Sequence, residues 1–481
     1  MGRLIIVSNR TPAPGERTQP AGGLTVGLYD AVQTQETLWF GWSGHQHADA
    51  ADRPVQSEQV GNVNYVTFDL TQRQYDRFYL NFSNGVLWPL CHYRTNLIRY
   101  TREDCDAYYE ANEVFADRLV GLLEPDDTVW IHDYHLFPLG KMLRDRGVTG
   151  RIGFFLHIPF PPWSVARLLP RLDMLLSGLA ACDLIGVQTP EDATNLKGCF
   201  EVYGLKAAVE AVPIGIDPVS FRQQAIESAS SDEVVKIMDT LEGTRLIMGV
   251  DRLDYSKGLP ERMKGFEALL KNYPEHRGQV TFLQVTPVSR GGVESYRLLK
   301  EELDGLVGTI NGAYGTPDWV PIRYTTWPIG RHILAGLYRM ADVGFVTPLR
   351  DGMNLVAKEF IAAQDEDDPG VLVLSRFAGA APEMPEALLI NPLDAEGMAD
   401  ALHIGLTMDV HARHAAWSAM YDEVSRNTAG SWSKQFLDSL EAIRPCHCTE
   451  HTAPFQRLRW VVCMFWRGWW RSGSSGLPST G

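Results

Sequence analysis

Cysteine is scarce in this chain: seven residues in 481, an odd number, with no CxxC pair. A disulfide framework is therefore excluded as the source of stability, and a reducing, cytoplasmic setting is the simplest expectation. Positive charge is in deficit as well. Lys and Arg number 44 against 59 Asp and Glu, a net charge of -15 at pH 7. Broad nucleic-acid binding is disfavoured, and any cation that holds a phosphorylated ligand must be a local exception to this field. Before residue 444 no apolar run could span a membrane. The apolar stretch at the start is too short for a signal peptide, and Ile6 breaks the myristoylation pattern. Short-period repeats and long low-complexity segments are missing too.

What is present is an ordinary globular composition, 45% hydrophobic and 21% charged, with length enough for two α/β domains. Short β-branched runs recur between helical patterns, at residues 4–7, 128–131, 152–156, 184–188, 246–250, 280–285, 343–347 and 371–374. Such alternation predicts a doubly wound α/β fold in two Rossmann-like halves facing a cleft. The polar segment 227–233 suggests a boundary just after it. The expected organisation is 1–235 for the first domain, 236–425 for the second, 426–443 for a final helix returning towards the first, and 444–481 for an atypical tail, expected to be poorly ordered.

The richest stretch runs from Arg350 to Glu359, RDGMNLVAKE. A short buried strand closed by Pro348 precedes it, and a helix is predicted over 355–364. Asp351 and Asn354 then sit in a strand-to-helix loop, where open parallel sheets bind ligands and a helix N-terminus favours anionic groups. Glu359 lies one turn inside, within reach of ribose hydroxyls. Another strand leads into Asp251-Arg252-Leu253-Asp254-Tyr255-Ser256-Lys257-Gly258. Arg252 and Lys257 there either stabilise charge on a departing diphosphate or pair with Asp251 and Asp254, and the loop alone does not decide. In the first half Arg10 follows a strand, and Gly22 and Gly23 offer free backbone N–H groups, although a glycine pair is more often a turn. Asp133 and His157 end two further strands, without Ser-His-Asp or metal-ligand spacing around them. Asp365-Glu366-Asp367-Asp368 has a DxD spacing, but its place between a helix end and a strand start makes it a solvated connection.

Taken in order, SNR with GGL, GWSG, NFSNGVLWP, HDYH, FLHIPFP, DRLDYSKG, SRGG and RDGMNLVAKE resemble the trehalose-6-phosphate synthase family, retaining glycosyltransferases of the GT-B fold, over residues 3 to about 443. The resemblance implies transfer of glucose from UDP-glucose, or from GDP- or ADP-glucose, to glucose 6-phosphate, with no metal, no other cofactor and no enzyme nucleophile. By matching position, Arg10, Tyr79, Trp88 and Arg290 would hold the acceptor phosphate and Asp133 the acceptor sugar. Gly22, Gly23, Arg252, Lys257, Ile329 and Leu355, Val356, Ala357, Lys358 and Glu359 would hold the nucleotide sugar. His157 and Asp351 would touch donor glucose hydroxyls, and with Arg252 and Lys257 they form the implied catalytic set. No DxDx[TV] phosphatase pattern follows, and no lysine motif marks PLP attachment. Partners beyond the two substrates are not implied: neither nucleic acid nor membrane, with homo-oligomerisation left open.

Two rivals share these motifs in part: a pseudo-glycosyltransferase that joins cyclitols through nitrogen, and a sugar-phosphate sensor without turnover. The tail has no counterpart in the family. Cys446, Cys448 and His451 could clip a metal, and five Arg among Trp and Phe could rest on a membrane surface. A dispensable extension is the preferred reading, because the ligand spacing fits no standard zinc pattern.

Overall fold

The computed structural model describes residues 2–17, 27–28, 36–50, 53–241, 243–288 and 294–443, all within one compact unit spanning Met1–Pro445. Gly22, Gly23, Arg290 and the tail from 444 onward lie outside the described residues.

Among the described residues fourteen strands form two sheets. The first sheet contains β1 (Leu4–Arg10), β2 (Thr37–Gln46), β3 (Gln56–Val60), β4 (Val63–Leu70), β5 (Thr128–His132), β6 (Ile152–Phe155), β7 (Leu184–Val187) and β8 (Ala208–Ala211), in the order β3-β4-β2-β1-β5-β6-β7-β8. Only β3 runs antiparallel to its neighbour. The second contains β9 (Arg245–Val250), β10 (Val280–Val285), β11 (Ile322–Thr325), β12 (Val343–Val346), β13 (Val371–Ser375) and β14 (Leu388–Ile390), in the order β11-β10-β9-β12-β13-β14, all parallel. Central strands of such sheets are covered on both faces, which is why Leu4-Ile5-Ile6-Val7 and Val343-Gly344-Phe345-Val346 are continuous buried runs. These are the two parallel-sheet α/β domains that the GT-B resemblance implies.

Each sheet reverses its winding beside its first strand. β1 lies between β2 and β5, and β9 lies between β10 and β12. At such switch points the loops leaving the carboxyl ends of the strands diverge and leave a crevice. The segments after β1, β5, β9 and β12 are therefore the ones aimed at a ligand.

The expected boundary at 235 falls too late. The helix Pro218–Ala229 packs on the helices Arg331–Met340 and Leu355–Ala363 of the second domain. Phe221 meets Tyr338, Arg331 lies over the Phe221 ring at 4.8 Å, and Arg222 lies over Trp417 and pairs with Glu366 at 2.8 Å. The polar stretch 227–233 is thus the end of one helix, a two-residue turn and the start of the next, packed with the second domain and not a linker. The chain crosses back near 427. Its last described helix, Ala429–Ala442, sets Trp432 5.1 Å from Trp130 and stacks Phe436 on Trp130 at 4.8 Å and 9°. No helix among the described residues is long and apolar enough to cross a membrane.

Candidate active site

The floor of the site in the second domain is set by a buried cation. In the helix Leu259–Asn272, position 262 falls on the apolar face with Leu259, Met263, Phe266 and Leu269, yet it is an arginine. Arg262 is buried with its donors satisfied by Asp251 at 2.5 Å, Gln284 at 3.0 Å and Thr347 at 2.8 Å. A buried charge persists only when paired and hydrogen-bonded in this way. The three partners follow or end β9, β10 and β12, so one guanidinium ties three strand ends together.

Above it, the loops after β9 and β12 press into contact. Gly258 adopts a φ of +61°, and a Cβ there would lie 2.2 Å from the Thr347 carbonyl oxygen, so only glycine fits. The approach brings Lys257 beside Asp351, with Nζ to Oδ2 at 2.5 Å. Asp351 also accepts from Asn354 Nδ2 and from the Gly352 N–H, both at 3.0 Å. Asn354, at φ +78°, caps the helix Leu355–Ala363 through the Ala357 N–H. Burial pushes the Asp351 pKa upward, but the Lys257 ammonium and the hydrogen bonds outweigh it and hold the group below the ordinary carboxylate value. Asp351 is therefore an ionised acceptor at neutral pH.

The two pairings left open by the sequence are not the ones formed. Asp251 is taken by Arg262, and Asp254 accepts from Ser256 N at 2.9 Å, Trp88 Nε1 at 3.3 Å and Tyr296 Oη at 3.3 Å. Arg252 is exposed, its guanidinium 5.9 Å from the centre of the Trp88 ring, and it forms no ion pair among the described residues.

The facing wall is built from rings. β5 ends at His132 and runs into Asp133, a non-glycine residue at φ +76° whose Oδ1 takes the His157 N–H at 3.4 Å. The His157 ring is held between His132 Nδ1 at 3.1 Å and Gln188 Nε2 at 3.4 Å, with Trp432 edge-on at 5.8 Å. Burial lowers its pKa to about 3, so the imidazole stays neutral. A Cβ on Gly352 would sit 2.1 Å from the His157 carbonyl oxygen, which places the Asp351 loop of one domain directly against His157 of the other. Residues 75–87 form a π-helix, a geometry that recurs at functional sites. It carries Tyr79, which stacks with His135 at 5.7 Å and with Tyr75 at 5.5 Å, and lies 5.8 Å from Trp42. Arg10, exposed at the end of β1, rests its guanidinium beside Gly44 on the same β2 end as Trp42.

Arg252, Lys257, Asp351, Trp88, Asp133 and His157 thus converge on strand ends of the two sheets, and Arg10 and Tyr79 flank one strand end of the first. Trp88 is buried, with its indole N–H directed at Asp254 rather than left for a phosphate. Leu355, Val356 and Ala357 form the first turn behind Asn354. Ile329 packs by the start of the helix Arg331–Met340. The Lys358 side chain leaves the cleft altogether: it is buried, pairs with Glu383 at 2.5 Å and donates to the Ile214 carbonyl at 2.8 Å. Only its backbone remains for a ligand. Glu359 is held by Arg331, which donates twice to Oε1 at 3.1 and 3.3 Å, while Oε2 accepts no bond among the described residues. The acidic 365–368 connection is solvated and paired outward, Asp365 with Arg339 and Asp368 with Arg413, each at 2.6 Å.

Five contributors escaped the sequence reading. His132, Gln188 and Trp432 fix the His157 ring, and Arg350 crosses to the first domain, over Tyr93 at 4.7 Å and paired with Glu191 at 3.1 Å. For Arg262 a signal did exist, a lone charge at apolar-face spacing in a helix.

Comparison with known proteins supplies an independent measure. The family model described as glycosyltransferase family 20 matches residues 3–442. A trehalose-6-phosphate synthase from Sinorhizobium fredii is 44% identical over 458 residues, covering 92% of this chain and 99% of that protein. The crystal structure of an alpha,alpha-trehalose-phosphate synthase (UDP-forming) from Burkholderia xenovorans in complex with glucose 6-phosphate is similar with a TM-score of 0.88 and 42% identity, over 92% of this chain and all (100%) of that one. A trehalose-6-phosphate synthase structure from E. coli bound with UDP-2-fluoro glucose is similar with a TM-score of 0.87 and 42% identity, over the same 92% and 100%.

Proposed function

Since the chain belongs to glycosyltransferase family 20, we propose that it is a retaining hexosyltransferase that moves glucose from UDP-glucose to the anomeric oxygen of glucose 6-phosphate, giving trehalose 6-phosphate and UDP. Relatives described as UDP-forming, and relatives holding glucose 6-phosphate or a UDP-glucose analogue, support the choice of donor and acceptor.

One observation carries the assignment of roles: the Lys257–Asp351 pair at the meeting of the β9 and β12 loops, against His157 of the opposite domain. An ammonium has three donors, and Asp351 uses one. The others face the oxygens of a leaving diphosphate, with Arg252 as the second cation. Preorganised charge of this kind acts on what develops in the transition state, at no reorganisation cost. Asp351, kept ionised by the same lysine, accepts from donor glucose hydroxyls. His157, neutral and locked, adds a hydroxyl contact and a wall; with its pKa at about 3 it is no general acid at neutral pH. Glu359 takes a ribose hydroxyl through Oε2, beside Ile329 and the first turn of residues 355–358. Arg10, Tyr79, Arg290 and the Trp88 region hold the acceptor phosphate, and Asp133 orients the acceptor sugar. Gly22 and Gly23 supply backbone donors to the diphosphate. We divide the chain into an acceptor domain over 1–217, a nucleotide-sugar domain over 218–426 and a returning helix over 427–443.

The test is product analysis. Purified protein with glucose 6-phosphate and UDP-, GDP- or ADP-glucose should release nucleotide in step with trehalose 6-phosphate, fastest with UDP-glucose. Tight binding without nucleotide release, or a product lacking trehalose 6-phosphate, defeats the reading.

A further inference from the structure

At the far end of the helix that starts beside Lys257 lies a second cluster of ligating groups. That helix, Leu259–Asn272, is 14 residues and about 21 Å long, so the cluster is remote from the site described above. Directly after it, Glu275 and His276 occupy a short 3-10 turn, Pro274–His276. His403 projects from the neighbouring helix Ala395–Thr407, which packs along the first. His276 Nε2 and His403 Nδ1 are 3.0 Å apart, a Glu275 carboxylate oxygen is 3.9 Å from His403 Nδ1, and the three ligand atoms all lie within 4.8 Å of one another.

We propose that Glu275, His276 and His403 bind a divalent transition cation of borderline softness, with Zn²⁺ as the representative. Two imidazoles and a carboxylate with a fourth position open to solvent are a donor set suited to zinc. Tetrahedral ligands at about 2.0–2.1 Å from zinc are separated by about 3.3 Å, so the two nitrogens need to part by only a few tenths of an ångström. The facing nitrogens already share one proton as a hydrogen bond. Moving that proton to the outer nitrogen of its own ring frees both lone pairs, and a rotation of the rings turns them from each other towards a shared ion beside the N···N line. Glu275 is exposed, and its side chain can swing the short remaining distance.

The rings are held in place independently of any ion. Tyr273 stacks face to face on His403 at 4.0 Å and 9°, and its hydroxyl donates to Asp400 at 2.6 Å. Preorganisation of this kind lowers the ordering cost of ligation. Arg245 also acts on His276, but its guanidinium is paired with Asp342 at 2.9 Å.

The experiment uses the full chain and two metals. Zn²⁺ should raise the thermal midpoint, with calorimetry reporting one equivalent at this site, and His403→Asn should abolish that rise. Glu275→Gln, an exposed change that does not threaten folding, should weaken Zn²⁺ binding by at least about tenfold. Co²⁺ separates this site from the cysteines of the tail. Here it should give d–d bands that disappear in His403→Asn, without the thiolate charge-transfer bands of cysteine ligation. The proposal is overturned if the midpoint rise survives both substitutions, if Zn²⁺ produces no rise, or if all Co²⁺ absorbance carries thiolate bands.

Discussion

The two walls of the cleft are made of different materials. In the first domain the strand ends carry rings: Tyr79 on His135, Trp88 by Tyr134 at 5.5 Å, His157 between His132 and Trp432. In the second they carry charges in pairs: Lys257 with Asp351, Arg262 with Asp251, Arg331 with Glu359. The contrast matches the roles proposed above for each wall. A glycosyl diphosphate presents anionic oxygens whose charge grows as the bond breaks, and fixed cations answer that. A hexose presents faces and hydroxyls, which rings and neutral acceptors answer. In an acidic protein cations are few, and apart from the exposed Arg252 those of this wall are locked by partners rather than left on flexible stems.

Four measurements would break or sharpen this contrast. Trp432 links the returning helix to Trp130, Phe155 and His157 at ring separations of 5.1, 4.9 and 5.8 Å. Trp432→Ala should therefore cost about 3–5 kcal/mol in denaturant unfolding; a loss below about 1 kcal/mol would mean that rings do not hold the first wall. Lys257→Ala should lower kcat by about 10²–10³-fold, equivalent to about 2.7–4 kcal/mol, with little change in KM for glucose 6-phosphate. Equal kcat in the two enzymes would remove charge from the account of the second wall.

Mild acid should weaken the first domain. Burial lowers the pKa of His92 to about 4 from an ordinary 6.5, and that of His132 well below it. Above about pH 6.5 both states are neutral and stability is full. As pH falls, the unfolded chain takes up protons that the folded one refuses, so at pH 5 His92 alone costs about 2 kcal/mol. Thermal midpoints measured between pH 7 and 5 should drop accordingly, whereas the Asp351 charge persists until the carboxylate range is passed. A flat profile would mean that these histidines are protonated in the fold. The smallest effect is expected of the Asp365→Asn, Asp368→Asn double substitution, which removes the DxD spacing. Turnover should be unchanged, and a collapse would make the acidic connection functional.

The sequence carried the central strands and the cleft-facing loops because both leave local marks. A strand covered on both faces must be an unbroken apolar run, and a loop after it that holds Asp, Asn, Lys and Gly is conspicuous. Edge strands leave no such mark: β3, β8 and β11 are short and carry Gln, Glu or Arg, and β14 is only three residues long. The run Thr37–Gln46 is also inconspicuous as a strand, because glycine and serine interrupt its aromatics and Thr37 is its one β-branched residue. The displaced boundary has the same origin. A serine-rich turn between two helices looks like a linker until the packing of Phe221 on the second domain is seen. Side-chain destinations were less legible still. Lys358 and Glu359 are adjacent in a motif, yet one points into the interior and the other towards Arg331, a divergence set by helical phase and by partners distant in the chain.

The passage of the chain between its two domains has a mechanical corollary. Outgoing and incoming segments lie side by side, Ile216 bridging in parallel to Thr428 and the Ala429 N–H bonded to the Ile216 carbonyl at 3.1 Å. A single tether would let the halves swivel freely. Two segments of backbone joined by this bond resist that torsion, as a flat leaf spring does, and so favour one alignment of Lys257 with His157.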